Sequence, residues 1–196
     1  MSFRKEKKYK LTHSELGILK NRLIKKGMKF LYPQRKINSI YFDTPNLDFY
    51  TASEEGVLPR KKIRIRWYDE NISKVFKETK ISSIEGRYKF NSQFSKDIIF
   101  KSKKLQLFDD EYGILKPQIM ISYKREYFVF NNLRLTFDTN IVYEDIWSLS
   151  RCNIADNECV MEIKVNFDVN DDYIEKLIEY PISRFSKYSR SILFTK

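Results

Sequence analysis

Lys62, Arg64 and Arg66 recur at every second position of the stretch Lys61–Tyr68, and Ile63, Ile65 and Trp67 fill the positions between them. In an extended chain this spacing puts three cations on one face and three apolar side chains on the other. Like charges two residues apart repel, so an ordinary exposed strand mixes its polar residues. A row of cations matches phosphate instead, since the guanidinium fork and the lysine point charge both pair with phosphate oxygens. A solvated edge strand whose basic residues discourage aggregation is the other reading of the same eight residues.

Further stretches repeat the pattern. Arg4, Glu6, Lys8 and Lys10 share one parity. Glu78 and Lys80 share another, as do Arg134, Thr136 and Asp138, and again Glu162 and Lys164 opposite Met161, Ile163 and Val165. A pure phosphate sink needs only Lys and Arg. Carboxylates set among the cations add the means to hold Mg²⁺ or Mn²⁺, which phosphoryl transfer requires. If the strands close with their apolar faces outward, these side chains line a tunnel too costly to leave dry and unpaired.

The elements that would carry these residues read as follows. A strand through Leu11 leads to a helix over Ser14–Lys26, with Thr12 or Ser14 as cap, an inward stripe of Leu16, Leu19, Leu23 and Ile24, and a stop at Gly27. Asn38–Thr44 is a strand ended by Pro45, followed by a loop through Gly56 and Pro59. The basic strand turns at Asp69–Asn71 into a hairpin partner over Lys74–Ile81, and a second turn at Glu85–Gly86 precedes Arg87 and Lys89. A second helix is expected over Ser95–Phe108, with Ile98, Ile99, Leu105 and Phe108 inward. Ile119–Phe130 and Leu133–Thr139 form a hairpin about Asn131-Asn132, and Glu158–Phe167 is a further strand. Asn170 caps a helix that Pro181 ends, and the tail has helical spacing at Phe185, Tyr188 and Ile192.

The whole chain, 196 residues with five Gly, five Pro and no repeat, reads as a single domain, 1–196. A net charge of +11 and a pI near 9.5 point to an anionic partner: nucleic acid, a membrane surface or phosphate. Cys152 and Cys159 lack a metal-binding spacing and read as free thiols of a reducing compartment. With a charged N-terminus and no apolar run long enough to span a bilayer, the expected location is cytoplasmic. His13 reads as a surface or capping residue, and the basic face of the first helix as solvated rather than lipid-bound. Nucleic acid is the rival ligand, but the aromatics do not share a face with the cations on the cleanest strands, and carboxylates such as Asp138 and Glu162 would repel it.

Eight short motifs in order resemble the VTC domain, the polyphosphate polymerase branch of the triphosphate tunnel metalloenzymes (CYTH-like superfamily). They are R-x-E-x-K-Y at Arg4–Tyr9, SIYFDT at Ser39–Thr44, KIRIR at Lys62–Arg66, Glu78 with Lys80, YKRE at Tyr123–Glu126, RLTFD at Arg134–Asp138, MEIK ending at Lys164, and SKY at Ser186–Tyr188. The resemblance implies an α+β, mainly β fold: a closed antiparallel eight-stranded barrel with helices outside. It implies transfer of the ATP γ-phosphate to a growing polyphosphate chain with Mn²⁺ or Mg²⁺, and ATP, polyphosphate and pyrophosphate or triphosphate as ligands. A membrane-protein partner is admitted, and the oligomeric state is not set.

Carried over by motif, Lys8, Arg64, Arg66, Lys80, Arg125, Arg134 and Lys187 act on the phosphates, with Arg4, Lys62, Arg87, Lys89, Tyr123, Lys164 and Ser186 as further binding residues. Glu162, Glu6, Glu78 and Asp138 are the candidate metal ligands. The tunnel hydrolases and cyclases begin with E-x-E-x-K, whereas Arg4 stands here at the first acid. That substitution leans toward holding a long anion over activating water. A triphosphatase of the same fold, or a binding-only sensor, remains the alternative.

Overall fold

The computed structural model describes residues 4–94, 103–148, 153–166 and 169–195. Among the described residues ten strands and four helices follow in the order β1 (Arg4–Leu11), α1 (His13–Lys25), β2 (Lys29–Asp43), α2 (Asp48–Glu55), β3 (Arg60–Tyr68), β4 (Asn71–Ser82), β5 (Arg87–Phe94), β6 (Leu107–Asp109), β7 (Gly113–Phe130), β8 (Leu133–Asp145), β9 (Asn153–Ala155), β10 (Cys159–Asn166), α3 (Asp171–Ile178) and α4 (Lys187–Thr195). The fold is α+β and mainly β, as expected. Hydrogen-bonded neighbours follow β1-β10-β8-β7-β2-β3-β4-β5, with β6 on β7 and β9 on β8. This order has two ends, so among the described residues the expected closed eight-stranded barrel is corrected to an antiparallel sheet with β1 and β5 as edges. The composition of β5 suits an edge: Arg87 and Lys89 are exposed on it and deter further pairing. Among the described residues no helix is long and apolar enough to cross a membrane.

The chain forms two compact units, each with its own core. The first comprises Met1–Arg35, Tyr123–Ile141 and Asp156–Phe185. Here Tyr9 and Leu11 of β1, Met161, Ile163 and Val165 of β10, and Leu133, Leu135 and Phe137 of β8 bury the apolar face of the strands under Leu16, Leu19 and Leu23 of α1 and Ile174, Leu177 and Ile178 of α3. Helix α1 starts at a capping box, in which Glu15 N donates to Thr12 Oγ1 while Thr12 N donates to Glu15 Oε2. It stops where Gly27 takes φ +103, a conformation that disfavours a side chain. Ile24, expected inward, is exposed. At roughly 100° per residue it lies about a quarter-turn beyond the Leu16–Leu19–Leu23 stripe. Asn131 and Asn132 both have positive φ, as a two-residue hairpin turn requires.

The second unit comprises Lys36–Ser122, Val142–Ala155 and Ser186–Lys196. Its core is built on Ile40 and Phe42 of β2, Ile63, Ile65 and Trp67 of β3, Val75 of β4 and Phe49 of α2. The loop expected before Pro59 contains α2 instead. Its first-turn donors are met from the end of β2: Phe49 N and Tyr50 N donate to the Asp43 carboxylate at 2.9 and 3.0 Å, and Asp48 N donates to Thr44 Oγ1 at 3.1 Å. The helix expected over Ser95–Phe108 falls largely outside the described residues. Its last part is corrected, since Leu107 and Phe108 belong to β6, paired with β7, and Phe108 is exposed.

Candidate functional site

On the second unit, antiparallel register brings the predicted cations into cross-strand rows. Lys62 of β3 stands opposite Lys80 of β4, which stands opposite Lys89 of β5. Arg64 stands between Tyr41 of β2 and Glu78 of β4, and Arg66 stands opposite Ser39. Directly paired residues share a face, so five cations share a face with one carboxylate there. Glu78 is that carboxylate. Arg64 Nε and Nη2 donate to its Oε2 at 2.7 and 2.6 Å, Arg66 Nη1 lies 3.7 Å away, and Lys89 Nζ donates to Oε1 at 2.8 Å. Burial alone would raise the Glu78 pKa, but Arg64, Arg66 and Lys89 outweigh it and hold the carboxyl down at about 2.

Glu78 therefore holds the Arg64 guanidinium directly and lies within ion-pair distance of Arg66. A depressed carboxyl contributes stability above its ordinary pKa and loses it as pH falls toward the folded value. Wild type is accordingly expected to exceed Glu78→Gln in urea midpoint at pH 6, and the gap is expected to narrow between pH 5 and pH 2.

Three further groups complete this face. Arg64 Nη1 donates to the Tyr41 hydroxyl at 2.7 Å, Arg66 Nε donates to Ser39 Oγ at 3.0 Å, and Lys62 Nζ donates to Ser186 Oγ at 2.9 Å. Ser186 directly precedes α4, and Lys187 is the first residue of that helix. Arg87 lies on β5 opposite Ser82 and is exposed.

On the first unit, β1, β10 and β8 build a second charged face. One row runs Lys8, Glu162, Thr136; the next runs Glu6, Lys164, Arg134. Acids and lysines thus alternate in a checkerboard on β1 and β10. Lys164 Nζ is 3.0 Å from Glu162 Oε1, Lys8 Nζ is 3.6 Å from Glu6 Oε1, and Lys8 also donates to the Phe185 carbonyl at 3.1 Å. Burial would raise the Glu162 pKa, yet Lys164, Arg125 and Lys8 hold it at about 2. Arg125 of β7 makes a two-pronged pair with the buried Asp138 of β8, at 2.5 and 2.7 Å, and its guanidinium lies 5.3 Å from the Tyr123 ring centre. Arg134 is exposed over the ring of Tyr32. Arg4 opens β1 in register with Asn166.

Among the described residues, no three or more His, Cys, Asp or Glu side chains gather as a metal cage. Mg²⁺ and Mn²⁺ working on phosphates do not need one, because one or two carboxylates plus phosphate oxygens suffice. The donor set of the first unit fits that pattern. Glu162 and Glu6 are carboxylates on one face, each paired with a lysine that a phosphate could draw away. The other two candidates are engaged differently: Glu78 has three cations within 4 Å, and both oxygens of Asp138 face Arg125.

The residues that sequence reasoning did not assign to the site are Tyr41, Ser39, Asp43 and Tyr188. The signal was present in the alternation of β2, where Ser39, Tyr41 and Asp43 share one parity, but only the β2–β3 register turns that parity toward the arginines. Cys159 is a buried free thiol, pushed up to about 11 by burial and nearby carboxylates, in keeping with a structural role. Cys152 lies outside the described residues.

The model of the VTC domain family matches residues 3–196. No curated protein sequence matches this chain. Among solved structures, a candidate adenylate cyclase from Bacillus halodurans is similar with a TM-score of 0.63 at 14% identity, covering 94% of each chain. A candidate adenylyl cyclase from Hippeastrum, described as having a dominant triphosphatase activity, reaches 0.60 at 16% identity over 98% of this chain and 96% of its own. A conserved hypothetical protein from Pyrococcus furiosus reaches 0.57 at 16% identity over 95% of this chain and 99% of its own. At such identities the likeness is one of fold alone.

Proposed function

Since this chain belongs to the VTC domain family, we propose that it is a polyphosphate polymerase that transfers the γ-phosphoryl group of ATP to the end of an inorganic polyphosphate chain. In that reaction the bond between Pγ and the β,γ-bridging oxygen breaks, ADP leaves, and a terminal oxygen of the acceptor chain forms the new P–O–P bond. The observation that carries the reading is the face of β3, β4 and β5, where Lys62, Arg64, Arg66, Lys80 and Lys89 share one side of the strands with the single carboxylate of Glu78. An array of cations so weakly offset is matched to a polyanion.

No protein nucleophile is needed, because phosphoryl transfer rests on positioning and charge stabilisation. Arg64, Arg66, Lys62 and Lys80 bind phosphate on the second unit, with Lys89, Arg87, Ser186 and Lys187 as further contacts. On the first unit Lys8, Arg125 and Arg134 bind phosphate, with Arg4, Lys164 and Tyr123 as further contacts. Glu162 and Glu6 would hold Mn²⁺ or Mg²⁺, which when bound would supply neutralisation of charge on the phosphate oxygens. Lys164 and Lys8 occupy those two carboxylates until phosphate attracts them.

A hydrolase would also need a group to orient water, a task that a carboxylate can perform. Glu78 and Asp138 are each committed to arginine pairs, which favours an anionic acceptor. The test is to incubate the purified chain with ATP and Mn²⁺ and resolve the products on a gel. A ladder of long phosphate chains supports the polymerase. Free phosphate alone would identify the hydrolase, and unchanged ATP a binding-only protein.

A further inference from the structure

Behind Arg64 lies a buried chain of hydrogen bonds and stacked rings that the phosphate reading does not use. Arg64 is gripped along one edge by Glu78 and at Nη1 by the Tyr41 hydroxyl, 2.7 Å away. Tyr41 is itself fixed: its ring stacks on that of Tyr188 at 5.1 Å between centres and 8° between planes. Tyr188 is fixed in turn, its hydroxyl donating to Asp43 Oδ2 at 2.6 Å. Asp43 is buried and receives the backbone N–H groups of Thr44, Phe49 and Tyr50. The series Asp43, Tyr188, Tyr41, Arg64 thus runs from a helix start to the cationic face without an exposed member before the arginine.

We infer that Tyr41 is a positioning residue for anion binding, fixing the Arg64 guanidinium from behind so that it meets a phosphate oxygen without reorganisation. The inference rests on the phosphate reading of this face and adds a residue to it. Rigid presentation matters because arginine has several rotatable bonds, and ordering them at the moment of binding would weaken the grip. A hydroxyl that accepts from Nη1 settles which of its N–H groups faces outward.

The surroundings make this role sensitive to alkali. Arg64, Arg66 and Lys62 of β3 face the Tyr41 phenol, with Glu78 of β4 beyond Arg64, and Tyr188 and Asp43 behind the ring. Burial would raise its pKa, but the cations outweigh burial and bring the phenol down to about 8. A phenolate there would compete with phosphate for Arg64, so anion affinity falls as pH passes upward through that value.

The test measures inorganic triphosphate binding to the full chain by titration calorimetry, without metal, for wild type, Y41F, R64A and the double variant. Phenylalanine keeps the stack and removes only the hydroxyl. Y41F is expected to weaken binding about tenfold in the wild-type background and less than twofold in the R64A background, because its effect passes through Arg64. The fall in wild-type affinity between pH 7 and 9 is expected to be shallower in Y41F, the titration of the probe being common to both. Equal losses in the two backgrounds, or no loss in either, would overturn the inference. R64A binding as tightly as wild type would instead overturn the phosphate reading of the face. Should Y41F not fold, Y188F takes its place, with a loss of about threefold expected and no loss counting against the role.

Discussion

Arg64→Ala combined with Arg66→Ala is expected to weaken inorganic triphosphate binding by at least about 100-fold, since each arginine supplies charge-assisted hydrogen bonds worth about 1.5–3 kcal/mol. The double change also has a structural cost. Arg66 and Glu78 are both buried, and removing the two guanidiniums leaves Lys89 to pair with the Glu78 carboxylate. Breaking a buried pair from one side typically costs about 3–5 kcal/mol, so a drop in thermal stability should accompany the loss of binding. The two effects separate in the triple variant that adds Glu78→Gln. Neutralising the stranded carboxylate should restore much of the melting temperature while affinity stays low. Triphosphate affinity that recovered along with stability would mean the arginines act on the fold and not on the ligand.

Glu162→Gln should have the opposite signature. Its carboxyl is held at about 2 by Lys164, Arg125 and Lys8 against the effect of burial, so it is fully ionised at working pH. Glutamine keeps the size of the side chain and removes the charge that would hold the metal. Metal-dependent turnover of ATP should fall by about 100-fold or more, in line with several kcal/mol of lost charge stabilisation. Triphosphate binding without metal should be unchanged or tighter, because a negative charge has left a face that carries Lys8, Arg125 and Lys164. The fold should tolerate the change: Lys164 is half-exposed, and Arg125 keeps Asp138. Turnover unaffected by this substitution, with the same metal requirement, would remove Glu162 from the metal site.

The strands that carry these residues could be read from sequence wherever one face was wholly apolar. In β3 the alternation of Ile63, Ile65 and Trp67 with Lys62, Arg64 and Arg66 fixed both the element and the direction of its side chains, and β10 was legible in the same way. β7 was legible as a strand over Ile119–Phe130 but not in the direction of its side chains, because apolar residues occupy both of its faces, and the direction of Arg125 came only from resemblance. The first half of β2 escaped notice because Lys29–Lys36 is largely exposed and contains Pro33, which gives it no period to detect. Helix α2 escaped for a different reason. Leu47, its N-cap residue, offers no capping side chain, and the acceptors come from Asp43 and Thr44 before it.

The roles within the site show the same limit. That Glu78 shares a strand face with Lys80 follows from parity. That it clamps Arg64, Arg66 and Lys89 depends on the register of three strands, which no single segment encodes. Barrel closure is likewise a property of the strand order as a whole, and alternating faces are equally compatible with a sheet that keeps two edges.

Phosphorus NMR of one reaction mixture tests the central claim most directly. With purified chain, ATP and Mg²⁺, which unlike Mn²⁺ does not broaden the lines, the account predicts a growing resonance of bridging chain phosphates matched by the appearance of ADP. Orthophosphate as the sole new resonance, or an ATP spectrum that does not change, would contradict it.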